Sequence, residues 1–227
     1  IPRESDAVLY THAGPEVAVA STKAFATQLV AMYLIGLHIG RARSAISNIE
    51  AKAIEAELAE LPAKIEQVLE TVEPLRELTR KFKDSSSMLF LGRHVGYPTA
   101  LEGALKLKEL AYMHAEGFAG GELKHGPIAL IDQGTPVVAI MPSEGSLLAE
   151  KMASNIQEVK ARGARVIAIA DAPLPIAEHT IRIPRSHEFL QSVLAVIPLQ
   201  VISYEMAIAR GNDVDQPRNL AKSVTVE

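Results

Sequence analysis

Glu102, Lys106 and Glu109 recur at spacings of four and three within a run whose other members include Leu101, Ala104, Leu105, Leu107, Leu110 and Ala111. On a helix those spacings set the three charges along one stripe. A carboxylate and an ammonium held against an otherwise apolar helix sit where pKa values can shift. Such a pair suits proton abstraction beside a carbonyl, with the carboxylate as base and the cation steadying the anionic intermediate. The alternative is a structural ion pair on a half-exposed face.

Four further segments carry groups that could react or bind. Gly120-Gly121-Glu122-Leu123-Lys124-His125-Gly126-Pro127 reads as a defined irregular loop, with glycines on both sides and a closing proline. His125 on that loop could serve as acid or base near neutral pH, or be one more solvated histidine among the seven in the chain. The end of the chain places Arg218 and Lys222 four apart among Leu220, Ala221, Val224 and Val226. Chain ends are usually polar and loose; this one can pack against a body and hold two cations over an active site. Ala20-Ser21-Thr22-Lys23 offers hydroxyls to a polyol, or to its own helix. Gly92-Arg93-His94-Val95-Gly96 follows a strand and precedes a helix, the place where open α/β sheets take ligands, but it lacks the glycines and hydroxyls of a strong phosphate cradle. No spacing reads as a metal site or as a Ser-His-Asp arrangement.

These residues need elements to position them. Strands are expected at 7–10, 88–91, 137–140, 166–169 and 180–183, from short Val/Ile/Leu-rich runs. Helices are expected at about 16–40, 99–114, 147–162 and 189–210, with Gly163 as a stop and Pro198 as a kink or break. The first is apolar on most sides, which predicts a buried helix. Residues 49–82 are amphipathic, and Pro62 and Pro74 predict two or three short helices linking two subdomains. Strands separated by helices point to a parallel sheet covered on both faces, an α/β fold. Strand, loop and apolar helix at 7–40 recur at 179–211, a weak internal repeat that suggests two copies of one unit.

The bulk numbers narrow the class. The 227 residues, 48% of them hydrophobic, suffice for one large domain or two small ones. A net charge of −4 argues against a nucleic-acid partner. The absence of cysteine removes disulfides, thiolate metal sites and a cysteine nucleophile. No apolar run is expected to span a membrane, no signal peptide is recognisable at the start, and a cytoplasmic enzyme fits. The first residue is Ile1 rather than Met, so the chain is expected to be a piece of something longer.

Three segments resemble the glucosamine-6-phosphate synthase family, in its sugar-isomerase (SIS) domain: Gly14 to Phe25, Ala100 to Glu109 continuing through His125-Gly126-Pro127, and residues 213–227. The resemblance runs the length of the chain, and the tail is its most specific part. It implies a three-layer SIS-type parallel sheet flanked by helices, one complete subdomain plus the C-terminal part of a preceding one. The implied boundaries are 1–47 for that part, 48–83 for a helical linker, 84–212 for the second subdomain and 213–227 for an active-site tail. The implied reaction joins ammonia to the C2 ketone of fructose 6-phosphate and moves a proton from C1 to C2, giving glucosamine 6-phosphate. The resemblance makes Glu109 the proton-shuttling base and Lys106 its electrostatic partner. It makes His125 a ring-opening group supplied across a homodimer, and Lys222 the Schiff-base amine. Val19, Ser21, Arg218 and Ala221 line or order the sugar site; no metal or organic cofactor is implied. The family's glutaminase domain and the Ser/Thr-rich phosphate loop of its first subdomain are absent from this sequence. The chain alone is therefore expected to bind fructose 6-phosphate poorly. A non-catalytic sugar-phosphate sensor, or another phosphosugar isomerase or deglycase, is the competing reading.

Overall fold

Four of the five expected strands form, and a fifth forms where none was expected. The computed structural model describes residues 2–222. The second half of the chain folds as β1 (Ser87–Gly92), α4 (Gly96–Ala111), β2 (His114–Ala119), β3 (Pro136–Ile140), α5 (Leu147–Lys160), β4 (Arg165–Ala170), β5 (His179–Arg182) and α6 (Gln191–Ala209). Ahead of it lie α1 (Lys23–Ala42), α2 (Asn48–Leu69) and α3 (Val72–Arg80). The strands run parallel in the order β2-β1-β3-β4-β5.

Alternation along the strands divides the interior into two cores. Phe90, Val138, Ile140, Ile167 and Ile169 face α4 and α6. Leu89, Leu91, Val137, Ala139, Val166 and Ala168 face α5 through Met152, Ile156 and Val159. Helix–sheet–helix layering follows, because the central strands β1, β3 and β4 are apolar on both sides. β2 was missed because His114-Ala115-Glu116-Gly117-Phe118-Ala119 has no β-branched residue; it is specified by pairing with β1 from Ser87–His114 to Gly92–Ala119. Gly117 is required there, since a Cβ would stand 2.9 Å from the backbone nitrogen of Leu101 in α4.

Several expectations need correction. Residues 7–10 form no strand, so the internal repeat reduces to a likeness between α1 and α6. α1 begins at Lys23 rather than near Glu16 and buries only Leu37. Pro62 does not break α2, which is started by a capping box between Ser47 and Glu50. The break comes at Glu70 and Thr71, and Pro74 sits in the first turn of α3, where its missing N–H is not needed. α6 is assigned as one helix through Pro198. It is long and apolar enough to cross a membrane, contrary to expectation, but fifteen of its nineteen residues are buried in this fold.

Candidate active site

The stripe on α4 is an ion triad centred on Lys106. Its Nζ donates to Glu109 Oε2 at 2.5 Å and stands 3.4 Å from Glu102 Oε1, with the lysine side chain only 4% exposed. The contact to Glu102 is attractive but lacks hydrogen-bond alignment, and Glu102 Oε1 has no hydrogen-bond partner among the described residues. Burial pushes the Glu102 carboxyl above the usual range, against the pull of Lys106 and with a further push from Glu109. Glu109 is the more exposed carboxylate, at 22% against 10% for Glu102. The more exposed carboxylate is therefore also the one hydrogen-bonded to the cation.

Lys106 lines a cavity of ≈ 700 Å³. Leu110 of α4 stands beside it; Ala18, Ala20 and Thr22 come from the segment before α1, and Val214 and Asp215 from the segment after α6. A third wall is polar: Glu205 of α6, 3% exposed, accepts from Arg76 Nε of α3 at 3.0 Å. The segments are stitched together by Gln200 Nε2 donating to the Thr22 carbonyl at 3.0 Å and Val19 N donating to the Asp215 carbonyl at 3.0 Å. This volume is within the range of small-molecule sites, and its boundary is drawn from segments far apart in sequence.

The tail is anchored by residues the sequence did not single out. Arg218 N donates to the Tyr112 hydroxyl at 2.7 Å, and the Arg218 guanidinium lies 4.3 Å from the centre of that ring. Lys222 Nζ donates to Glu16 Oε2 at 2.7 Å and to the Ala18 carbonyl at 2.8 Å. Glu16 also accepts from the backbone of Thr22 and Ala24 through its other oxygen, at 2.9 and 3.2 Å. Burial opposes ionisation of Glu16, but the bonds from Lys222, Thr22 and Ala24 and the charge of Lys222 prevail, lowering its pKa to about 2. One carboxylate thus caps α1 and ties down the tail.

The expected site residues are brought together in part. Glu109 and Lys106 are paired, Lys222 docks on the segment that holds Val19 and Ser21, and Arg218 docks on Tyr112 after α4. Lys222 does not meet Glu109: its bonded partners are Glu16 and Ala18. Val19 and Ser21 do not line the cavity, whereas their neighbours Ala18, Ala20 and Thr22 do. Ala221 is exposed. His125 stands exposed on the 3-10 turn Gly120–His125, its Nδ1 2.8 Å from Glu122 Oε2. Residues 223–227, with Val224 and Val226, lie outside the described residues.

Residues 81–210 match the SIS domain. The chain belongs to the SIS domain family. Among SIS relatives it is 60% identical, over its whole length, to glutamine–fructose-6-phosphate aminotransferase [isomerizing] of Streptomyces coelicolor, and 57% identical to the protein of that name from Mycobacterium bovis. It spans 38% and 37% of those two proteins. Among solved SIS structures it resembles the C-terminal domain of glucosamine-fructose-6-phosphate aminotransferase from Francisella tularensis, with a TM-score of 0.89 and 40% identity. That match covers 95% of this chain and 61% of the other. A glucosamine-6-phosphate deaminase from Thermotoga maritima matches at a TM-score of 0.66 and 26% identity, over 92% of this chain and 59% of the other.

Proposed function

We propose that this chain is the isomerase part of a glutamine–fructose-6-phosphate aminotransferase, acting in the cytoplasm on fructose 6-phosphate and ammonia to give glucosamine 6-phosphate. The observation that carries the reading is the Lys106–Glu109 ion pair, whose lysine lines a cavity of small-molecule size bounded in part by Val214 and Asp215 of the tail segment. Identity with aminotransferases of that name supports it. In this reading Glu109 takes the proton from C1 and returns it to C2. Lys106 holds the carboxylate in place and offsets negative charge as the enolic intermediate forms. Buried Glu102 keeps the ammonium oriented. Lys222 is the amine that forms a Schiff base with the open-chain ketose, after its two hydrogen bonds to Glu16 and Ala18 are released.

The remaining parts of the reading concern neighbours. Residues 1–47 are the end of a preceding SIS subdomain, 48–83 a linker, 84–212 the second subdomain and 213–227 the active-site tail. A glutaminase domain of the same protein supplies ammonia, and in a homodimer the partner subunit's His125 assists ring opening. The exposure of His125 leaves it available to another subunit.

The test joins this chain to the preceding part of a related aminotransferase. Borohydride added with fructose 6-phosphate should attach sugar to Lys222, and Glu109→Gln should lower exchange of the C1 proton at least a hundredfold. Adducts that persist in Lys222→Ala, or unchanged exchange in Glu109→Gln, would remove those roles. The chain by itself should bind fructose 6-phosphate far more weakly in calorimetry than the joined protein does.

A further inference from the structure

His125 ends the 3-10 turn Gly120–His125 with its side chain 72% exposed, and among the described residues its imidazole meets one group, the similarly exposed carboxylate of Glu122. Packing therefore does not aim the ring. Its direction is set by the backbone of the turn, so whatever holds the turn decides where the imidazole can act. One anchor is apolar: Leu123 is fully buried in the same core as Met152 and Ile156 of α5. Apolar contact is non-directional and leaves the turn free to rock about that point, whereas hydrogen bonds fix an orientation.

Those bonds converge on Asn155. It lies on α5 and is 5% exposed. Its Oδ1 accepts from Arg93 Nε at 3.0 Å, and its Nδ2 donates to Glu158 Oε2, one helical turn on, at 3.4 Å. An amide suits this place because it accepts from a guanidinium with one atom and donates to a carboxylate with the other. Glu158 Oε1 then pairs with Lys124 Nζ at 2.9 Å. Burial opposes ionisation of Glu158, but the bonds from Lys124 and Asn155 and the charges of Lys124 and Arg162 prevail, holding its carboxyl below the usual range. The Lys124 pair is open to solvent on its cationic side and weak alone, so the buried amide is the deciding member.

The turn is shaped to receive this arrangement. β1 and β2 stay in register to Gly92–Ala119, which sets Arg93 beside Gly120. A Cβ on Gly120 would stand 2.6 Å from Asn155 Oδ1 and 3.3 Å from Arg93 Nε, so a larger residue there displaces one of them. The guanidinium continues across Gly121, where a Cβ would be 3.6 Å from Arg93 Nη1. The start of the turn is thus pressed against the Arg93–Asn155 bond. Its far end, at Lys124 next to His125, is tied to the same amide through Glu158.

We propose that Asn155 is a positioning residue for His125: through Arg93 on one side and Glu158 with Lys124 on the other, it fixes the turn in the orientation from which the imidazole reaches the site of a neighbouring subunit. This rests on the role proposed above for His125.

The experiment uses the chain joined to the preceding part of a related aminotransferase, so that turnover of fructose 6-phosphate can be measured. His125→Ala should lower kcat about a hundredfold and Asn155→Leu about tenfold. The double variant should be no slower than His125→Ala, because a group that acts through another adds nothing once that other is gone. Asn155→Asp keeps the acceptor for Arg93 and loses the donor to Glu158, so part of the turnover should return. In the chain itself, amide hydrogen exchange should quicken at residues 120–125 in Asn155→Leu while the central strands keep their protection. If Asn155→Leu fails to fold, Gly120→Ala, which crowds the same bond from the turn side, should give the same two results with α5 intact. Unchanged exchange in the turn, unchanged turnover in Asn155→Leu, or a double variant slowed by the product of the two single losses would overturn the proposal. Full turnover in His125→Ala would overturn the reading it rests on, and exchange at residues 120–125 would still decide whether Asn155 holds the turn.

Discussion

At the scale of single residues, Glu16 decides where Lys222 rests. Its carboxylate takes two backbone amides at the start of α1 and the tail ammonium together. Because its pKa is depressed from 4.5 to about 2, the stabilisation from its charge is fully present above about pH 4.5 and is lost as pH falls through about 2. Isotope-labelled dimethylation of the lysines gives a direct reading. The Lys222 methyl signal should titrate with a midpoint near 2, well below a free glutamate. In Glu16→Gln that step should vanish, and the signal should match a mobile lysine at every pH. A midpoint near 4.5 in the native chain would mean the ion pair does not form in solution. The pairing also explains why Lys222 was legible only as a docked cation. Nothing in the spacing of Gly14-Pro15-Glu16 announces a partner two hundred residues on, whereas the α4 triad was legible because all its members share one helix.

At the scale of elements, the closure of α6 onto the sheet depends on Arg210. Its Nε donates to the Lys83 carbonyl at 2.7 Å, Nη1 to Ala111 at 2.8 Å and Nη2 to Ser85 at 2.9 Å. One planar guanidinium therefore ties the end of α6 to the entrance of β1 and the end of α4, the helix that carries Lys106. Arg210→Ala should cost about 3 kcal/mol in urea unfolding, with an unchanged m-value. Arg210→Lys should recover only part, since one ammonium cannot reach three separated carbonyls. Full recovery by lysine would show that charge rather than geometry is what matters there. The helices and central strands were legible from the sequence because their burial pattern is local. β2 was not, because a strand containing Glu116 and Gly117 exists through its neighbour β1 and through contact with α4. Residues 7–10 show the reverse: the run Ala7-Val8-Leu9-Tyr10 has strand character but no strand to pair with, and Val8, Leu9 and Tyr10 stay exposed.

At the scale of the whole molecule, α1 presents two apolar faces and only one is covered. Phe25, Leu29 and Tyr33 pack on the core, and the Tyr33 hydroxyl meets Ser192 Oγ at 2.7 Å. Met32, Ile35 and Ile39, at spacings of three and four, are 64%, 38% and 49% exposed. The sequence predicted a buried helix because its hydropathy includes this second face. A stripe of that kind marks a surface meant for another protein segment, which the proposed preceding subdomain would provide. With the face bare, the chain should self-associate in sedimentation velocity as its concentration rises into the tens of micromolar, and should bind an apolar dye. Ile35→Lys with Ile39→Lys should shift it toward monomer and lower the dye signal several-fold, leaving the melting temperature nearly unchanged because neither residue belongs to the buried core. Joining the chain to the preceding part of a related aminotransferase should suppress association without those substitutions. If the joined protein still loses its self-association only when Ile35 and Ile39 are charged, the face serves contact between copies rather than contact between subdomains.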